Sequence, residues 1–192
     1  MWCDFKEQYE RHTVVGEHPV KIQGKNIKQL PNLSKQFQIQ FQFRVHIFLG
    51  PPPKQYPVVD IISDNLDVVM SFHINKTSSF FVSKNHELEF TFAKSASGER
   101  TTLLQDSVPL TFVFEGGKWN SVVIRKWRDE DGTFKVDAYL NHLKVLDGES
   151  VEDCSVFNNI NVTTGYKREE GGDFAFAVEG QIRNFFVFNK YE

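Results

Sequence analysis

The sequence predicts an all-β domain, an antiparallel sandwich of two sheets. Three observations carry this. Phenylalanine is heavily used, at 19 of 192 residues. Half-buried strands favour Phe and Val, whereas a helical bundle favours Ala and Leu. Apolar residues recur at every second position in segment after segment, the period of a strand with one buried face. Turn-forming Asp-Gly, Asn-His and Gly/Pro groups separate those segments. The length suits one domain and is enough for a full core. The chain divides into an N-terminal arm, residues 1–15, and a single sandwich domain, residues 16–192. The formal net charge is −3, too near neutral for a charge-driven nucleic-acid binder. No run of about 18 apolar residues occurs, so no membrane span is expected.

The clearest element runs from Phe37 to Phe48. Phe37, Ile39, Phe41, Phe43, Val45 and Ile47 are apolar; Gln38, Gln40, Gln42, Arg44 and His46 between them are polar. A strand buries the first set and turns a glutamine-rich face outward. That face is either plain solvated surface or a binding surface. Val68, Met70, Phe72 and Ile74 then alternate with Val69, Ser71, His73 and Asn75. Leu88, Phe90 and Phe92 alternate with Glu87, Glu89 and Thr91, and a short run of Leu110, Phe112 and Phe114 stops at Gly116-Gly117. Phe134, Val136, Ala138 and Leu140 alternate with Lys135, Asp137 and Tyr139. The last strand, Ile182 to Phe188, is apolar on both faces, as a central strand is.

The connections follow from turn chemistry. Asp131-Gly132 reads as a hairpin before Phe134. Asn141-His142 reads as a second tight hairpin, because Asn tolerates the left-handed conformation. Asp147-Gly148 is expected to close the strand that begins at Leu143. A helical turn is expected only within Gly148–Phe157. Gly50-Pro51-Pro52-Pro53 is a stiff loop that cannot continue a ladder. Phe37, Phe41, Phe43, Phe90, Phe92, Phe112, Phe114, Phe186 and Phe188 are expected to fill the space between the sheets.

Compartment rests on three small signals. Cys3 and Cys154 either form one bridge or remain two free thiols; two cysteines make no disulfide framework. Asn32, Asn75 and Asn161 each head an N-x-[ST] sequon. The first residues lack the apolar core of a signal peptide, so a secreted protein would be a mature form. The expectation is extracellular, with cytoplasmic as the alternative.

The order of the pieces resembles a known superfamily. Val69-Met70-Ser71-Phe72, Glu87-Leu88-Glu89-Phe90, Gly117-Lys118-Trp119-Asn120-Ser121-Val122, Val136-Asp137-Ala138-Tyr139-Leu140-Asn141 and Glu179-Gly180-Gln181-Ile182 follow one another as in the concanavalin A-like jelly roll, within it the laminin G-like branch. The resemblance covers about residues 35–190. It implies a jelly-roll β-sandwich in which Trp119 packs in the core. Asn120 stands where that branch has His, and His142 where its hairpin has Gly. Galectins, a second branch, carry an H-x-N-P-R run facing the sugar. His73-Ile74-Asn75-Lys76, preceded by Asp67, is similar to it. That resemblance implies His73, Asn75 and Lys76 as glycan ligands. The galectin tryptophan is missing from this chain, and a glycosylated Asn75 could not also be a ligand.

The residues also suggest further ligand chemistry. Arg125-Lys126-Trp127-Arg128 places cations around a Trp, so Arg125, Trp127 and Arg128 could grip a sulfated glycan or a carboxylate, or form a solvated hairpin arm. Asp129-Glu130-Asp131 and Glu152-Asp153 have oxygens suited to calcium but no ligand-loop spacing. Glu87 and Glu89 share a strand face, yet they do not match the carboxylate pattern of glucanases. No G-x-S-x-G or H-E-x-x-H occurs. The expectation is a recognition module without enzymatic activity or required cofactor. It would bind a glycan or glycoprotein as a lectin does. The alternative is a laminin G-type adhesion domain binding a cell-surface protein, and a glycan-cleaving enzyme is the remote one.

Overall fold

The structure is a computed structural model. It describes residues 9–22, 25–48, 54–63, 68–76, 86–93, 100–104, 118–151, 157–165 and 178–190. Only the backbone is described for residues 25, 46–48, 54–56, 68, 75–76, 86–93, 100–104 and 178–179. Among the described residues lie thirteen strands and no helix: β1 Tyr9–Val15, β2 Val20–Lys21, β3 Lys25–Leu33, β4 Phe37–Phe48, β5 Lys54–Ile62, β6 Val68–Lys76, β7 His86–Ala93, β8 Arg100–Leu104, β9 Asn120–Arg128, β10 Phe134–Leu140, β11 Leu143–Val151, β12 Phe157–Thr164 and β13 Val178–Lys190. Sheet A has the order β1-β13-β4-β9-β10-β11, with β2 also on β13; sheet B has the order β3-β12-β5-β6-β7-β8. The chain passes between the sheets after β2, β3, β4, β8, β11 and β12. This is the antiparallel, jelly-roll-like β-sandwich that the sequence predicts. Residues 9–15, within the arm set apart above, form β1 along β13.

The core sits between the facing apolar sets. On β4 the period of two is realised in full: Phe37, Ile39, Phe41, Phe43 and Val45 are buried, and Gln38, Gln40, Gln42 and Arg44 are half-buried on the other side. Phe72 of sheet B meets both Phe41 and Phe43 of sheet A, each with ring centroids 5.6 Å apart. Phe185 of β13 adds a third ring, 5.3 Å from Phe41. Each such pair contributes about 0.5–1.5 kcal/mol beyond the area it removes from water. Met70 and Ile74 complete the inward face of β6.

Three expectations are corrected. Phe186 and Phe188 do not fill the core. Register shifts between Arg183 and Phe186 against β4, with Asn184 at φ 48°, so one extra residue is inserted there. A bulge of this kind exchanges the two faces beyond it. Ile182, Phe185 and Val187 therefore point inward, and Phe186 and Phe188 lie half-buried on the outer face. Gly148 does not end a strand. At φ 62° it sits in a bulge of β11, where its amide donates to Asp137 Oδ1 at 2.8 Å. Residues 148–151 are strand rather than helix, and 152–156 lie outside the described residues.

Both predicted hairpins form. Between β9 and β10, Gly132 N donates to Asp129 O at 3.0 Å. Between β10 and β11, Asn141 and His142 take φ of 48° and 71°, as a two-residue turn between twisted strands requires. Asn141 is locked there: its Nδ2 donates to Asn120 Oδ1 and its Oδ1 accepts from Ser121 N, both at 2.9 Å. The Gly50–Pro53 loop, Asp67, Leu110–Phe114, Gly116-Gly117, Glu152-Asp153, Cys3 and Cys154 lie outside the described residues, as do the side chains of Glu87, Glu89, Phe90 and Phe92.

Candidate functional site

The outer face of sheet A is built from residues that alternate with the core set. Strand register lines them up. Gln38 lies opposite Phe188 on one side and Arg125 on the other, and Arg125 lies opposite Asp137. One step along, Phe186, Gln40, Val123 and Tyr139 form the next row. All but the buried Asp137 are half-buried. Rings and planar amides thus stand side by side on a paired, rigid platform. Phe186 and Phe188 are 6.4 Å apart, and the Arg11 guanidinium of β1 lies 4.0 Å from the centre of Phe186.

The cluster read at Arg125–Arg128 splits up. Lys126 is inward and buried, beside the ring of Phe134 at 4.9 Å, because strand side chains alternate. Arg125 and Trp127 share the outer face, 5.7 Å from cation to ring. Lys135, opposite Trp127, lies 5.9 Å from the same ring. Trp127 Nε1 is buried without a hydrogen-bond partner among the described residues. Arg128 folds back over its own turn, where Nε donates to Gly132 O at 3.2 Å. Burial pushes the Tyr9 phenol above its ordinary pKa, partly offset by the charge of Arg125.

Of the loop carboxylates considered for calcium, Asp129 and Asp131 are engaged in the turn. Asp129 pairs with Lys135, whose hydrogen bond holds the Asp129 carboxyl below the usual range and raises the Lys135 ammonium. Asp131 accepts from Thr133 N at 2.8 Å and is likewise lowered. Among the described residues no three His, Cys, Asp or Glu side chains converge as metal ligands.

Trp119, expected in the core, is half-buried on the outer face of sheet A. It precedes the inward Asn120, so alternation turns it outward. There it meets two arginines, Arg44 at 4.8 Å and Arg183 at 4.1 Å from the ring centre. Sequence reasoning missed this grouping, because its members come from β4, β13 and the start of β9.

His73 lies on the other sheet, away from Arg125 and Trp127. It projects from the outer side of β6, where its Nε2 stands 2.8 Å from Asp60 Oδ1 of β5. The Asp60 side chain is 6% exposed and that of His73 16%. His73 Nδ1 is buried without a hydrogen-bond partner among the described residues. Asn75 and Lys76 continue β6, and their side chains lie outside the described part. Of the sequon residues, Asn32 Oδ1 accepts from the buried Asn189 Nδ2 at 3.3 Å. Asn161 Oδ1 accepts from Asn26 Nδ2 at 2.7 Å.

No protein-family model matches the chain. No curated protein matches it in sequence. Solved structures do match in fold. A heptameric SAP-like pentraxin from Limulus polyphemus is 13% identical, with 94% of this chain and 73% of that one covered and a TM-score of 0.51. A botulinum neurotoxin type C structure, from work on cell entry dependent upon interaction with two ganglioside molecules, is 15% identical with a TM-score of 0.54. The match covers 96% of this chain but only 44% of the toxin chain. An endo-β-1,4-glucuronan lyase from the fungus Trichoderma reesei is 12% identical, with 94% and 79% covered and a TM-score of 0.52. At these identities the likeness is one of fold. It corrects the expectation of a domain without enzymatic activity, since the same sandwich carries a polysaccharide lyase. The G-x-S-x-G, H-E-x-x-H and glucanase carboxylate patterns that the sequence lacks belong to hydrolases and metal sites. An elimination needs instead a base near the proton it removes.

Proposed function

We propose that this domain binds carbohydrate, free or on a glycoprotein, across the outer face of sheet A. The observation that carries the reading is the pair of rows Phe188–Gln38–Arg125 and Phe186–Gln40–Val123–Tyr139. Sugars offer hydroxyls to planar amides and guanidinium groups, and C–H faces to aromatic rings. A sheet holds both kinds of group in fixed order, so little ordering entropy is lost on binding. The ganglioside-dependent toxin of the same fold supports the reading. Such a ligand, and the sequons, suit an extracellular setting. The test is a glycan array followed by titration of the best hit. Gln40→Ala and Phe188→Ala should each weaken binding at least ten-fold with an unchanged melting temperature. Retention of a cell-surface protein with no glycan response would instead favour the adhesion reading.

A second reading is supported by the Asp60–His73 pair. An ionised Asp60 accepts the Nε2 proton of His73, which leaves Nδ1 as the basic nitrogen. In a fold that also serves a glucuronan lyase, His73 is the candidate base for cleaving a uronate polysaccharide, provided that substrate binding uncovers Nδ1, which is buried in the free domain. Incubation with polyuronates, followed by absorbance of the unsaturated product, tests it. Turnover abolished by His73→Ala supports the role; turnover retained in that variant removes it.

A further inference from the structure

The carbohydrate face has a second end, and its chemistry differs from the first. Arg44, Trp119 and Arg183 meet there, contributed by β4, the residue preceding β9, and the β13 bulge. Both guanidinium groups are held in place. Arg44 Nε donates to Gln181 Oε1 at 2.8 Å, and its Nη2 donates to the same oxygen. Arg183 Nε donates to Gln42 Oε1 at 2.9 Å. Asn184 Nδ2 donates to that oxygen too, at 3.1 Å, which ties the bulge to the site. The tethers are neutral amides. Among the described residues neither arginine faces a carboxylate.

Two cations therefore share one indole ring, and nothing among the described residues neutralises them. Arginine stays charged at every ordinary pH. Among the described residues no hydrogen bond occupies Arg44 Nη1 or either Nη nitrogen of Arg183, and a guanidinium presents its donors as a planar fork suited to an oxyanion. The Trp119 ring is engaged by both guanidinium groups and holds them within one spot. Two charges and their donors converge within one half-buried spot.

We infer that Arg44, Arg183 and Trp119 form an oxyanion subsite of the carbohydrate face, taking a sugar-borne carboxylate or sulfate. The inference rests on the carbohydrate reading and narrows its ligand to acidic glycans. Arg44 and Arg183 bind the oxyanion, and Trp119 positions the two guanidinium groups.

Calorimetric titration with three oligosaccharides of matched length tests this: a polyuronate, a sulfated glycan and a neutral glucan. The wild-type chain should bind at least one acidic oligosaccharide ten-fold or more tighter than the neutral one. The two acidic arms show whether carboxylate or sulfate is the group taken. The double variant Arg44→Gln/Arg183→Gln should lose the acidic preference and keep the neutral affinity, which a misfolded variant could not. Arg44→Lys/Arg183→Lys, which keeps charge without the fork, should fall between. An acidic preference that survives the Gln variant overturns the subsite and leaves the carbohydrate reading standing. A wild-type chain that binds none of the three overturns both. Arginine-dependent binding of poly-glutamate without any saccharide binding overturns the sugar assignment in favour of an acidic peptide.

Discussion

His73 Nε2 is held 2.8 Å from Asp60 Oδ1 across the β5–β6 ladder. A polar pair this buried is expensive to break from one side, because the remaining partner keeps its desolvation penalty without its bond. Asp60→Ala should destabilise the fold by about 1–3 kcal/mol. Urea unfolding measures it; a change within about 0.3 kcal/mol would show that the pair is not a structural tie.

Phe185 and Phe186 are neighbours in sequence and lie on opposite faces of sheet A. Phe185 is fully buried against Phe41, so Phe185→Ala should cost about 3–5 kcal/mol. Phe186 lies half-buried on the outer face, and its removal should cost under about 1.5 kcal/mol while weakening glycan binding. Equal losses in thermal unfolding would contradict the bulge at Asn184.

The β10–β11 turn carries strain at an exposed residue. His142 takes φ 71°, where a side chain costs about 1–2 kcal/mol. His142→Gly relieves this, less the added freedom of the unfolded chain, and should stabilise by about 0.5–1 kcal/mol. Asn141→Ala should act oppositely, because it removes the bonds to Asn120 and Ser121 at a position that also needs positive φ. A loss of stability in His142→Gly, read by chemical denaturation, would argue against the turn geometry.

Asp129 should titrate below its ordinary value of 3.8, since Lys135 and the Glu130 amide favour its charged form. A depressed folded pKa stabilises above the unfolded value, and that contribution fades as pH falls through the folded one. The β9–β10 turn should therefore loosen only below about pH 4. Carbon-detected NMR titration should show the Asp129 midpoint rising in Lys135→Ala. A midpoint unmoved by that substitution would contradict the pairing.

The alternating pattern of Phe37–Phe48 was sufficient to assign both the strand and its two faces. Backbone geometry makes side-chain direction a local property, so no distant residue is needed to know that Phe41 faces in and Gln40 out. The Asn141-His142 turn was legible for the same reason. One inserted residue at Asn184, invisible in hydrophobic pattern alone, decided that Phe185 rather than Phe186 joins the core. The laminin G-like resemblance implies Trp119 in the core; its place beside Arg44 and Arg183 is set by strand order. The pairing of Asp60 with His73 likewise depends on register across a ladder broken between Pro57 and Val59. Local rules therefore determined the inner and outer faces of regular strands such as β4, but not the faces beyond the bulge at Asn184. Which outer residues meet, and hence where a ligand could be held, was decided by the pairing of strands distant in sequence.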